Sequence, residues 1–422
     1  MIYLVKPPKN IKPGELRLPT SKSISNRVLI MRSLAGNDKV TIKDLSVCDD
    51  TNVMTQALEN MPQTIDVGAA GTSMRFLTAY LSQLDGQEHV ITGSQRMKER
   101  PIGVLVEALR LLGADIEYVE NEGYPPLRIK GRKLKGASIT IKGNVSSQYI
   151  SALLMIAPYM EEGLKMKLSG DIASKPYIDM TLALMNRFGA KAFWLSRDTI
   201  AVVPQPYTFE GEFTVEGDWS AASYWFEIMS MHKGFSYIHL ANVDYPDSVQ
   251  GDHAVAEVFA KGKLTAGWDG ASHEIFKDNL IREFAPQCFV QDFSNIPDLA
   301  QTFVVTCCMK NQPFMFSGLN SLYIKETDRV KALINELAKL GYKLVEGEDG
   351  VLMWQRGKCR KQSKPVIKTY KDHRMAMAFA PCCMVLGEIR IEDPSVVSKS
   401  YPEYWDVLRE VGFEITEIQE GE

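Results

Sequence analysis

The chain has 422 residues, with 48 Lys and Arg against 52 Asp and Glu and a formal net charge of −4. That length exceeds one ordinary compact core, so two domains are expected, and the 45% hydrophobic and 24% charged residues are those of a soluble globular protein. The charge balance gives no general reason for a nucleic-acid or membrane-surface partner, and no segment is long and clean enough to span a bilayer.

In chain order, the start "MIYLVKPPKN" lacks the long apolar run of a leader and points to the cytoplasm. Next comes "SKSISNR", Ser21 to Arg27, with three serines, two cations and no acid. It runs into Val28, Leu29, Ile30, Met31 and Leu34 at helical spacing. Helix starts carry unsatisfied N–H groups and partial positive charge. Small hydroxyl residues with Lys22 and Arg27 would suit an oxyanion; an ordinary Ser cap with solvated cations fits as well.

Five later stretches share that form: "GAAGTSMRFLTAYL" from Gly68, "GNVSSQYISALLMIA" from Gly143, "EGDWSAASYWFEIM" from Glu216, "FSNIPDLAQTFVVTCC" from Phe293 and "YKDHRMAMAFAPCC" from Tyr370. Each is a polar or glycine-containing turn entering an apolar helix. From Gly143 onward they recur at roughly 75-residue intervals. Amphipathic helices such as "IGVLVEALRLLGADIEYV" and "DRVKALINELAKLGYKLV" lie between them, each ending near Gly and entering a strand. The unit reads as strand, buried helix, strand, amphipathic helix, strands. Six units fit two domains of three, with buried helices whose N-termini gather on one face.

Three cationic clusters add to the first. "SQRMKERP" carries Arg96, Lys98 and Arg100; "YIKETDRVKAL" carries Lys325, Glu326, Asp328 and Arg329; "YKDHRMAM" carries Asp372, His373 and Arg374; Lys399 follows in "VVSKSYP". An Arg at a buried helix start must meet an anion or bear a large desolvation cost, so each cluster is either a ligand site or an internal ion pair. Asp298 in "IPDLAQTF" fits a helix cap or a general base; Glu326 fits a salt-bridged acid or a proton-transfer group. No nucleotide-binding glycine loop or His/Cys ligand spacing is present. The seven cysteines include adjacent pairs, Cys307-Cys308 and Cys382-Cys383, inside apolar runs and no C-x-x-C, so small buried residues are expected rather than a metal or redox site. The residues alone describe a two-domain repeat protein holding a small polyanion, with neither metal nor nucleotide in its chemistry.

Taken together, "SKSISNR", "AAGTSMRF", "RMKERPIG", "VSSQYISALLM", "SKPYIDMTL", "IPDLA", "KETDRV" and "DHRMAMAF" resemble the motifs of the 5-enolpyruvylshikimate-3-phosphate synthase family, in family order and over nearly the whole chain. The resemblance implies the α/β enolpyruvyl-transferase fold. Two globular domains each hold three βαβαββ-type units with buried parallel helices, an inside-out α/β barrel. It implies a discontinuous first domain, 1–20 plus 217–422, a second domain, 21–216, and an active site in the interdomain cleft. It further implies a monomer with no cofactor or metal, whose partners are the small substrates shikimate 3-phosphate and phosphoenolpyruvate.

Carried over by motif, Lys22 touches both substrates. Ser23, Arg27, Ser146, Ser147, Gln148, Ser174, Tyr177, Asp298 and Lys325 take shikimate 3-phosphate. Gly71, Arg100, Gln148, Arg329, Arg374 and Lys399 surround phosphoenolpyruvate. Lys22, Asp298 and Glu326 are the catalytic groups. The sequence departs from the family pattern where Ala69 replaces Asn, Phe76 replaces Pro, Ser321 stands for an Asn with Asn320 beside it, and Tyr323 stands where many members carry Arg. The related UDP-N-acetylglucosamine enolpyruvyl transferases normally place a reactive Cys or Asp near "RMKERP"; no Cys lies between Cys48 and Cys288. A nucleic-acid clamp built of repeats would need a basic inner surface, and these inner helices are apolar.

Overall fold

The computed structural model describes residues 1–277 and 286–419. The chain divides into two compact units, Met1–Pro19 with Glu216–Glu422 and Thr20–Val215.

One strand-and-helix plan recurs in both. In the Thr20–Val215 unit, strand Thr64–Asp66 leads into helix Gly71–Ser82 and strand Glu88–Thr92. Helix Gly103–Leu111 and strands Asp115–Tyr118 and Leu127–Lys130 follow. The first two strands pair in parallel and the last two antiparallel, which makes a four-stranded sheet. Ala137–Lys142 to Thr199–Val202 repeats this order and pairing. The third repeat is shorter. Strand Val40–Lys43 pairs in parallel with Gly211–Thr214, from the far end of the segment, in a two-stranded sheet.

The other unit carries the plan three times with four strands each. Two of those strands come from the N-terminus and enter different sheets. Gly14–Leu16 pairs in parallel with Tyr237–Leu240. Ile2–Lys6 lies between Ile389–Glu392 and Glu414–Ile418.

The polar-start helices form the two cores. Every residue of Gly71–Ser82, Trp219–Met231, Ala300–Met309 and His373–Phe379 is buried. These helices pack on one another within their own unit, which is why their sequences are apolar on all sides. Helix Arg329–Lys339 instead buries one stripe, Val330, Leu333 and Leu337. Cys307, Cys308, Cys382 and Cys383 are buried free thiols, as their apolar surroundings predict. Among the described residues no helix is long and apolar enough to cross a membrane.

Candidate active site

Each unit gathers its inner-helix starts into a polar cluster. In the Thr20–Val215 unit, Ser21 caps helix Lys22–Ala35 by accepting from the Ile24 N–H. Lys22, the next residue, reaches Asp50 at 3.4 Å. The backbone carbonyl of Asp50 accepts from Ser73 Oγ at 2.9 Å, and Gln148 donates to Thr72 Oγ1 at 3.1 Å. These contacts tie together the starts of four helices, Lys22–Ala35, Asp49–Asn60, Gly71–Ser82 and Ser147–Ile156. Ser146 caps Ser147–Ile156 by accepting from the Gln148 N–H. Ser174 sits before helix Lys175–Arg187 in left-handed backbone, and its carbonyl accepts from the Tyr177 N–H at 3.1 Å.

Arg27 is buried, and its partners are neutral. It donates to Thr181 Oγ1, Ser151 Oγ and the carbonyls of Ser23 and Tyr177, at 2.8 to 3.3 Å. Its guanidinium lies 5.3 Å from the Phe76 ring centroid, which gives the residue that departs from the family pattern a packing role. Burial lowers its pKa to about 10, with Tyr177 acting in the opposite sense. A buried cation held only by neutral acceptors gains most from an anion.

The "SQRMKERP" cluster separates into two kinds of cation. Arg96 pairs with Glu99 at 3.6 Å and Lys98 with Glu120 at 2.6 Å, both on the surface. Arg100 is turned inward over Gly71, where a β-carbon would meet its Nη1 at 2.6 Å. Pro101 fixes the loop, because its carbonyl accepts from Tyr149 Oη and from Arg75 Nη2. Helix Gly71–Ser82 has no side-chain cap, since Ala70 stands at that position. Its first N–H groups and Arg100 together make an anion-suited end.

The other unit brings Asp298, Lys325, Glu326, Arg329, Arg374 and Lys399 into one ion network. Arg329 is its centre and is buried. It donates to Asp372 Oδ2 at 2.7 Å, Asp298 Oδ1 at 3.1 Å and Glu326 Oε2 at 2.9 Å. Asp298 also meets Arg374 at 3.1 Å and Lys325 at 3.7 Å, and Glu326 meets Lys399 at 3.0 Å. Asp372 caps His373–Phe379 through the Arg374 N–H. Asp298 lies inside the turn Pro297–Leu299, whereas Ile296 and Leu299 hold the cap positions, and its carboxylate joins the ion network. Burial pushes its carboxyl up, but Arg374, Lys325 and Arg329 outweigh that and hold it well below the usual aspartate range. Asp328 is the cap of Arg329–Lys339.

Sequence reasoning left several supports unassigned. Asp50, beside Lys22, reads as an ordinary first-turn acid. Arg75 reads as one more helix residue. Asp252, which accepts from Ser220 Oγ, is pushed up to about 7 by burial and by Asp298. Glu336 accepts from Tyr370 Oη at 2.7 Å and from the Lys368 N–H at 2.9 Å, anchoring the turn that delivers Asp372. Only Asp372 carried a sequence signal, its place in "DHR". Asn320 donates to the Asp349 carbonyl at 3.4 Å, and Tyr323 to Glu346 at 2.7 Å.

The two clusters, each within its own unit, offer dense cations and helix starts, and the second holds the carboxylates Asp298 and Glu326. The family model described as EPSP synthase (3-phosphoshikimate 1-carboxyvinyltransferase) matches residues 5–65 and 59–408. A relative named 3-phosphoshikimate 1-carboxyvinyltransferase, from Bacteroides fragilis, is 54% identical over 415 residues, covering 98% of this chain and 99% of its own. One of the same name from Colwellia psychrerythraea is 36% identical over 426 residues, covering 94% and 96%. A solved EPSP synthase from Acinetobacter baumannii superposes with a TM-score of 0.76 over 99% of this chain and 100% of that one, at 20% identity, and shares the fold. On its sequence, this chain belongs to the EPSP synthase (3-phosphoshikimate 1-carboxyvinyltransferase) family.

Proposed function

We infer that this chain transfers the enolpyruvyl group of phosphoenolpyruvate to the 5-hydroxyl of shikimate 3-phosphate, releasing phosphate. The observation that carries the site assignment is the network around Arg329. Four cations, Lys325, Arg329, Arg374 and Lys399, surround the carboxylates Asp298 and Glu326. Joining two anions requires positive charge placed in advance, and the proton transfers require carboxyl groups beside it.

Shikimate 3-phosphate is held by Lys22, Ser23, Ser146, Ser147, Gln148, Ser174, Tyr177, Asp298 and Lys325. Its carboxylate supplies the anion that buried Arg27 is suited to receive. Phosphoenolpyruvate is held by Arg329, Arg374 and Lys399 with Lys22, Arg100, Gln148 and the Gly71 helix start. In the addition, the 5-hydroxyl oxygen bonds to C2 and its proton passes to Asp298. The methylene carbon takes a proton from Glu326. In the elimination that proton returns to Glu326, the C2–phosphate bond breaks, and phosphate leaves with the proton from Asp298. Lys22 offsets charge on both substrates. No cofactor takes part, and the enzyme works as a cytoplasmic monomer.

Phosphate release from phosphoenolpyruvate, with shikimate 3-phosphate or UDP-N-acetylglucosamine as acceptor, tests this. Release that depends on shikimate 3-phosphate is expected. Release only with the UDP-sugar, or none with either beside retention of DNA on a filter, overturns it.

A further inference from the structure

Three of the cations assigned to phosphoenolpyruvate, Arg329, Arg374 and Lys399, also hold the proton-transfer acids. Glu326 is the sharper case. Its Oε2 accepts from Arg329 at 2.9 Å and its Oε1 lies 3.0 Å from Lys399. Both of these partners belong to the set assigned to phosphoenolpyruvate. Asp298 differs, because it also meets Lys325, which is assigned to the other substrate.

A multiply charged anion arriving at Arg329 and Lys399 competes with Glu326 for the same N–H groups. A carboxylate loses much of its stabilisation when its cations turn to a stronger anion, and Asp298 close by repels it further. The charged groups around Glu326 include Lys325, Asp328 and Arg329 on its own segment, Lys399 from Pro394–Lys399 and Asp298 from Pro297–Leu299. Asp372 and Arg374 lie beyond Arg329. The mechanism, for its part, needs Glu326 protonated once phosphoenolpyruvate is bound, since it must deliver a proton to carbon.

We propose that phosphoenolpyruvate displaces Glu326 from Arg329 and Lys399, and that Glu326 takes a proton from solvent in that same step. The proton destined for the methylene carbon is therefore loaded by substrate binding. It passes from the Glu326 carboxyl to C3 in the addition and returns in the elimination. It goes back to solvent when phosphate departs and the two cations close on Glu326 again. Over one turnover no proton is gained or lost through Glu326. This inference rests on the assignment of phosphoenolpyruvate to these cations.

The test is calorimetric titration of phosphoenolpyruvate into the full-length enzyme saturated with 5-deoxyshikimate 3-phosphate, which lacks the attacking hydroxyl and blocks turnover. It is run at pH 8, about two units above the second phosphate pKa, in two buffers of different ionisation enthalpy. Wild type should take up ~1 proton per ligand bound. Its Kd should then rise about tenfold per pH unit above pH 8. Glu326→Gln should bind with no uptake and a flat pH profile. The Kd profile of wild type needs no variant, so the inference stays testable if Glu326→Gln fails to fold. Binding without uptake, a flat wild-type profile, or uptake retained in Glu326→Gln overturns this inference alone. Absence of any phosphoenolpyruvate binding overturns the functional reading and this inference with it.

Discussion

Arg100 lies where a side chain on residue 71 would begin: a β-carbon on Gly71 would stand 2.6 Å from Arg100 Nη1. The glycine is required by this close approach, since no left-handed φ is involved. Gly71→Ala should therefore displace Arg100 while leaving the fold intact, because the obstructing atoms are the far end of a flexible chain. The KM for phosphoenolpyruvate should rise by about tenfold, or ~1.4 kcal/mol, with little change in the KM for shikimate 3-phosphate or in Tm. Steady-state kinetics and a thermal melt check it; an unchanged KM would remove Arg100 from the site.

Lys22 carries a structural duty and a catalytic one, and a double variant separates them. Lys22→Ala leaves Asp50, nearly buried, without its 3.4 Å partner, which lowers Tm. Adding Asp50→Asn should restore much of that Tm. Turnover should stay at least ~100-fold down in both, because charge aimed at the substrates is missing. Turnover that recovers together with Tm would mean that Lys22 acts only through Asp50.

Asp298→Asn should lose at least ~100-fold in turnover while binding shikimate 3-phosphate close to normally. The variant also leaves Arg374, Arg329 and Lys325 less neutralised, so a lower Tm at neutral pH is expected and says nothing about catalysis. The depressed carboxyl gives stability that is present above the ordinary aspartate range and lost as pH falls through it. The Tm difference should accordingly shrink below about pH 4. Turnover kept near wild type would reduce Asp298 to a charge-balancing role.

Glu227 lies wholly inside the core of the Met1–Pro19, Glu216–Glu422 unit. Its Oε1 accepts from Thr306 at 3.1 Å, and among the described residues Oε2 has no partner. Burial pushes its carboxyl well above the usual glutamate range, the Thr306 hydrogen bond opposing only in part. Folding must then keep this group protonated while the unfolded chain ionises. The cost is absent at low pH, grows as pH rises past the ordinary glutamate value, and levels off above the native one. Glu227→Met should raise Tm more at pH 8 than at pH 5, by at least ~2 °C. Equal shifts at both pH values would contradict the assignment.

Much of this was legible in the sequence because periodicity and polar turns are local properties. The six apolar helices, their polar starts and the strand-helix order all appear in runs of about 15 residues. What the sequence hid is set by distance. Apart from its place in the family motif, nothing in residue type distinguishes Arg100 from Arg96 and Lys98, which find Glu99 and Glu120 within reach. Asp298 has the look of a cap, yet its partners lie at positions 325, 329 and 374. The short third repeat is closed by residues 211–214 against 40–43, a pairing no window spans.

The strand Ile2–Lys6 is held between Ile389–Glu392 and Glu414–Ile418. During synthesis Ile2–Lys6 is therefore made long before either strand it pairs with. Thr20–Val215 is an uninterrupted stretch that can collapse while the ribosome is still translating. In the other unit Gly14–Leu16 can pair once Tyr237–Leu240 is made, but Ile2–Lys6 stays unpaired until Ile389–Glu392 and Glu414–Ile418 follow. Growing chains thus pass through a stage with Thr20–Val215 complete and the sheet around Ile2–Lys6 still open. That stage, with strand edges still uncovered, is where a chaperone would have most to protect.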